Sequence, residues 1–176
     1  MRAIGFAPVI DAHTRVLILG SLPGDASLKM GQYYAHPRNA FWPLIGSLLD
    51  EALPALPYEN RLVRLKTRGV GLWDVIASAE RSGSLDAAIR SPEAADLRGL
   101  ALGLPSLSAV AFNGGLAAKL GRRILANLEG VDLIDLPSSS PAHARPFEDK
   151  RQQWSVLAPY LTRSEGSIDH APRRII

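Results

Sequence analysis

The chain has 176 residues, 47% of them hydrophobic, which suits one folded domain with a sizeable core, expected here over residues 1–163. It has no cysteine, which excludes disulfides and thiolate-held iron–sulfur clusters; no apolar stretch is long enough to cross a bilayer and residues 1–6 lack the core of a signal peptide, pointing to a cytoplasmic protein. The formal net charge of +3 permits contact with nucleic acid without requiring it.

The apolar run Val16, Leu17, Ile18, Leu19 predicts a buried strand over 14–19. A glycine and proline turn follows at once, Gly20, Ser21, Leu22, Pro23, Gly24. It lies where open α/β sheets bind ligands, at the carboxyl edge of a strand. Residues 39–51 read as a helix with a wide apolar face from Phe41, Trp42, Leu44, Ile45, Leu48 and Leu49, broken by Pro54 and Pro57. A second helix is expected over 58–67 and a second strand over 70–76. Short helices are expected over 84–90 and 92–99, the latter with Ser91 as N-cap and Pro92 at its first position. A third strand over 107–112 leads into a helix over 114–128, with Leu116, Leu120, Ile124 and Leu128 at helical spacing. A fourth strand over 131–136 gives way to a proline- and serine-rich loop, 137–146, and a last helix over 147–161. The tail from 164 to 176 is polar and expected to be loose. Strands alternating with helices imply a three-layer α/β/α sandwich around a central four-stranded parallel sheet.

Chemistry concentrates after the first strand. Tyr33, Tyr34, His36, Pro37, Arg38, Asn39, Phe41 and Trp42 arrive together, more than a connector requires. The whole segment resembles motif 1 of the uracil-DNA glycosylase superfamily, in particular its hypoxanthine-DNA and mismatch-specific branches. That pattern is a strand, Gly-x-x-Pro-Gly, about ten residues, an aromatic, then x-His-Pro-x-Asn-x-Phe-Trp, and it fits from Gly20 to Trp42 without a gap.

The resemblance implies a monofunctional DNA glycosylase of base-excision repair. It would remove uracil, and hypoxanthine with it, and leave an abasic site. The substrate partner would be DNA bearing deaminated bases, the working form a monomer, and no cofactor or metal would be needed. The target base must leave the stack and enter a pocket. Tyr34 occupies the stacking position, with Leu22 and Gly24 at the base. Most of the superfamily has an Asp or Asn at the place of Leu22, and leucine cannot hold water. Asn39 is then implied as the catalytic amide, though Asn is also a favoured N-cap and both roles are compatible. Asp25, in the same loop, is a second source of a carboxylate or an ordinary turn residue.

Asp74, at the second strand's end, stands where the superfamily often has an Asn that reads the base edge. A carboxylate there accepts from a base N–H, and a carboxylic acid also donates. A helix-capping Asp is the plainer reading. Asn113, before Gly114 and Gly115, suits a base edge at a helix N-terminus or a simple cap. The 137–146 loop resembles motif 2, with Ser138 in place of the usual His or Asn. Ser138, Ser139 and Ser140 are implied to grip phosphates, with Arg38 and Arg145 as further DNA contacts. His143 in this loop is implied as a donor to the leaving base in place of the usual His or Asn. Two other classes fit a chain with Leu22: a damaged-DNA-binding protein with weak catalysis, and a small-nucleoside N-glycosidase.

Overall fold

The computed structural model describes residues 1–164, so the expected tail over 164–176 lies outside the described residues except for Ser164. Among the described residues, seven strands and six α-helices follow one another. They are β1 (Arg2–Ile4), β2 (Val16–Gly20), α1 (Asp25–Met30), α2 (Phe41–Leu49), α3 (Tyr58–Thr67), β3 (Val70–Asp74) and β4 (Ile76–Glu80). Then come β5 (Arg90–Ala94), α4 (Leu97–Leu102), β6 (Ala109–Asn113), α5 (Gly115–Ile124), β7 (Asp132–Leu136) and α6 (Phe147–Trp154).

The central sheet has the order β3-β2-β6-β7, all parallel. Every residue of β2 is buried, because both faces of a parallel sheet are covered by helices. Side chains alternate along the strand. Val16 and Ile18 join one core with Phe41, Trp42, Ile45 and Trp154 from α2 and α6. Leu17 and Leu19 join the other with Ala117 and Ala118 of α5 and Leu97 and Ala101 of α4. Two cores separated by one sheet make the expected three-layer α/β/α sandwich. No helix among the described residues is long and apolar enough to cross a membrane.

Helix α5 packs close to the sheet at Gly121, where an added Cβ would lie 2.2 Å from a ring carbon of the fully buried Phe112. Overfilling so tight a contact costs about 1–3 kcal/mol. Gly121→Ala is therefore expected to lower the free energy of unfolding by that amount, read as a fall in the urea midpoint, and an unchanged midpoint would show that the helix shifts freely.

Three expectations are corrected. The strand expected over 70–76 ends at Asp74, and the chain turns at Val75 into β4, which belongs to a different sheet. The helix expected over 84–90 is a single 3-10 turn at Asp86–Ala88. The helix expected over 92–99 starts late. Residues 90–94 are an exposed strand in a small antiparallel sheet, β1-β4-β5. Ser91 has φ 47°, outside the extended backbone typical of a serine N-cap, and Pro92 sits on an edge strand that leaves its missing N–H without consequence. The true cap is Asp96, whose carboxylate accepts from the Gly99 N–H at 3.0 Å.

Candidate active site

The carboxyl ends of β2, β3 and β6 open into a cleft of about 610 Å³. Its floor is Gly20. A Cβ there would lie 2.5 Å from Oδ1 of Asp74 and 3.1 Å from the Tyr34 hydroxyl, so only glycine lets these two polar groups converge over the strand end.

Tyr34 reaches this place through a left-handed backbone, φ 55°. Such a conformation is strained for a tyrosine and is often found at functional sites. Its ring stacks on Phe41, centroids 4.0 Å apart and planes 16° apart. Phe41 is in turn held edge-on by Trp42 and Trp154, so the ring has a rigid backing. Tyr33 faces away from this role: its hydroxyl donates to the Ala7 carbonyl at 2.9 Å, and its ring packs on Phe6. Burial, and then the Asp74 charge, push both tyrosine hydroxyls well above their ordinary range, so both stay protonated.

Asp74 is 5% exposed. Burial pushes its carboxyl up to about 7, Arg81 pulls it down and Asp86 pushes it up again. Asp74 Oδ2, the Tyr34 hydroxyl and His143 Nε2 are all buried without a hydrogen-bond partner, and all three residues line this cleft. Unsatisfied buried polar atoms are costly, and their grouping at one place marks a site waiting for a polar ligand.

Asn39 is half-buried at the cleft wall. Its side-chain oxygen accepts from the Phe41 N–H at 2.9 Å, a turn that leads into α2, whose N-cap is Ala40, so the cleft receives chiefly its N–H donors. Asn113 lines the cleft and is held there by the serine loop. It donates to Ser139 Oγ and accepts from the Ser139 N–H, both at 2.9 Å. Ser139 also gives its carbonyl to the Ala40 N–H, which makes it a strut between β6, the 137–146 loop and α2. Ser138 and Ser140 line the cleft, and each hydroxyl accepts from the backbone two residues on, the N–H of Ser140 and of Ala142.

Leu22 and Gly24 line the cleft too, the former 6% exposed. Arg38 lies at its rim. Asp25 is exposed in the first turn of α1 and is not brought to the cleft. Arg145 is exposed two residues beyond the last cleft-lining position, His143.

Sequence reasoning missed two supports. Lys150 of α6 is 3% exposed and donates to the Ser140 carbonyl at 3.3 Å; burial, and then Arg145, hold its ammonium below the ordinary lysine range. Together with Trp154, whose ring N–H donates to the Pro137 carbonyl at 2.9 Å, it fixes the serine loop from behind. The second is the 81–88 segment. Asp86 accepts from the Ser21 hydroxyl at 2.6 Å, and Ser84 accepts from the Asp25 N–H at 2.9 Å. Ser84, Leu85 and Asp86 thereby form a further wall of the cleft. A lysine at helical spacing and a polar turn carry no local signal of these distant partners.

The model of the uracil DNA glycosylase superfamily matches residues 7–161. The chain belongs to that superfamily. It is 41% identical over 155 residues to a hypoxanthine DNA glycosylase of Methanosarcina barkeri, covering 88% of this chain and 97% of that protein. A hypoxanthine DNA glycosylase of Methanosarcina acetivorans is 39% identical over 153 residues, covering 87% and 96%. The solution NMR structure of a candidate uracil DNA glycosylase from Methanosarcina acetivorans superposes with a TM-score of 0.80 at 39% identity, covering 90% of this chain and 97% of that one. The expected family, fold and enzyme class, a DNA N-glycosylase, agree with these relatives. Neither a binding-only protein nor a nucleoside hydrolase is favoured by them.

Proposed function

We propose that this glycosylase releases hypoxanthine from DNA, and uracil with it, by reading the one change that deamination makes to both parent bases. Adenine and cytosine present a bare ring nitrogen on the pairing edge, an acceptor. Hypoxanthine and uracil present an N–H there, a donor. The observation that carries the reading is Asp74 Oδ2, a buried acceptor with no partner, at the strand end beside Tyr34. A carboxylate facing that edge accepts from a deaminated base and repels the lone pair of the parent base. A wrong base leaves the carboxylate unpaired in a dry site, and such mismatches are what give large discrimination.

The rest of the cleft supports the bond-breaking step. The flipped base stacks on Tyr34, which Phe41 holds rigid. As the glycosidic bond breaks, the sugar turns cation-like and the base leaves as an anion. N–H groups of Asn39 and the ring of His143 stand at the cleft wall to stabilise that charge. Ser138 to Ala142 line the same opening and carry the hydroxyl and backbone groups suited to phosphates.

The test uses oligonucleotides with one hypoxanthine, uracil, adenine or cytosine at a single position, single- and double-stranded, with chelator present. Alkali reveals abasic sites. Release from hypoxanthine and uracil alone is the expected result. Equal release from adenine, or none from any base, overturns the reading.

A further inference from the structure

The 81–88 segment is built from small and polar residues, with Leu85 as its one large apolar side chain. Leu85 is 58% exposed. Of the large hydrophobic side chains exposed among the described residues, it alone lines the cleft. A lone exposed leucine is ordinary on a protein surface. This one is braced on both sides. Before it, Ser84 Oγ accepts from the Asp25 N–H at 2.9 Å; after it, the Asp86 carboxylate accepts from the Ser21 hydroxyl at 2.6 Å. Its own carbonyl accepts from the Ala88 N–H at 3.1 Å. Arg81, at the start of the segment, donates to the Pro23 carbonyl and, at 3.5 Å, to the Leu22 carbonyl. Leu85 thus stands on a fixed turn at the edge of the opening.

The serine loop offers nothing comparable. From Ser138 to Ala144 it has no aliphatic side chain larger than Pro141. It follows β7, whereas the 81–88 segment is tied to the loop after β2, and β6 lies between β2 and β7 in the sheet. Both line one opening. One wall therefore presents hydroxyls and backbone groups, and the other an apolar projection. We propose that Leu85 is the wedge of this glycosylase: it enters the stack of duplex DNA beside the target and fills the space that the flipped base leaves. This rests on the base-flipping glycosylase reading, and not on how Asp74 reads the base edge.

Taking a base out of the duplex costs stacking and pairing, and the vacated gap favours its return. An apolar side chain pushed into the gap opposes that return, because it buries surface that was in water and restores contact with the neighbouring bases. Leu85 is exposed in the free protein, so it has that surface to bury. Its bracing means that little freedom is lost on insertion, which leaves more of the gain to hold the base out. A single strand has no duplex stack to hold open, so the contribution belongs to double-stranded substrate.

The test compares the parent with Leu85→Ala and with Leu85→Met, which restores the volume. Single-turnover release is measured from hypoxanthine and uracil oligonucleotides, single- and double-stranded. Leu85→Ala is expected to lower the ratio of double- to single-strand release by about 10–100-fold, and Leu85→Met to return most of it. A pyrene nucleotide opposite the target fills the opened stack from the other strand, and is expected to rescue Leu85→Ala. Flipping itself is read with 2-aminopurine beside a target whose 2′-fluoro sugar resists cleavage, since the probe brightens when its neighbour leaves the stack. Leu85→Ala is expected to lower that brightening. A leucine that only covers the base in its pocket slows release from both forms alike and gains nothing from pyrene. An unchanged ratio, or a loss that pyrene does not rescue, overturns the proposal; where single strands are not substrates, the rescue and the brightening decide it. The brightening needs no base release, so its dependence on Leu85 in a protein that releases no base counts against the glycosylase reading alone.

Discussion

Asn39→Asp is expected to cut base release by about 10²–10³-fold while leaving the fold as stable as before. The substitution separates two roles that share one side chain. The oxygen of Asn39 accepts from the Phe41 N–H in the turn that leads into α2, and an aspartate oxygen accepts it equally well. The amide N–H groups have no counterpart in aspartate, which offers only acceptors and a negative charge next to a leaving anion. Asn39→Ala removes both roles, so it is expected to show the same loss of rate together with about 1 kcal/mol of lost stability. Single-turnover release from a hypoxanthine oligonucleotide, and urea unfolding of each variant, measure the two effects. A fully active Asn39→Asp would move the electrostatic role to His143, whose Nε2 is the other buried, unpartnered group of a cleft-lining side chain apart from Tyr34 and Asp74. The absence of a carboxylate or amide at Leu22 sharpens this expectation. Leu22 is nearly buried and offers the cleft only an apolar surface. On the proposed reading, stabilising the departing base is therefore expected to carry more of the barrier than holding the water does.

The frame of the molecule was legible because its signals are local. Val16 to Leu19 form a continuous apolar run, and the sheet buries that run on both faces. The helix expected over 58–67 matches α3, Tyr58–Thr67, since Pro57 fixes its start. Motif 1 placed Tyr34 and Asn39 on one cleft wall because the chain between Gly20 and Trp42 is short and its turn is set by glycine and proline. What escaped reading depends on partners far along the chain. Ser91 and Pro92 imitate a helix start, yet pairing of β5 with β4 overrides that preference. Lys150 looks like a solvated helix residue until the serine loop closes over it. Asn113 reads as a base contact or a simple cap, and nothing local shows that Ser139, 26 residues later, holds its amide at the cleft. Arg81 and Asp86 lie in a stretch with no hydrophobic period, and only the turn at Val75 carries them back to the strand end.

The second large effect concerns stability. Asp74→Asn is expected to stabilise the protein at pH 8 and to change little at pH 4. The carboxyl is raised from its ordinary 3.8 to about 7 in the folded state, chiefly by burial. Between those values the folded protein holds a proton that the unfolded chain has released. Stability therefore falls as pH rises through this window, and the loss is complete above about 7. A rise of this size corresponds to about 4 kcal/mol, a large share of the stability of an ordinary domain. Asparagine carries no charge to bury, so the variant escapes the penalty at pH 8, while at pH 4 the parent is already neutral and has none to escape. Urea unfolding of parent and variant at both pH values measures the difference. A variant less stable than the parent at pH 8 would show that Asp74 gains more from its surroundings as an anion than burial takes away. The same substitution is expected to flatten the pH dependence of hypoxanthine release, since the amide presents its oxygen to the base N–H and its nitrogen to the base carbonyl at every pH. On the proposed reading, a parent that holds a buried carboxylate above pH 7 trades stability for discrimination, because only an anion repels the bare ring nitrogen of adenine or cytosine.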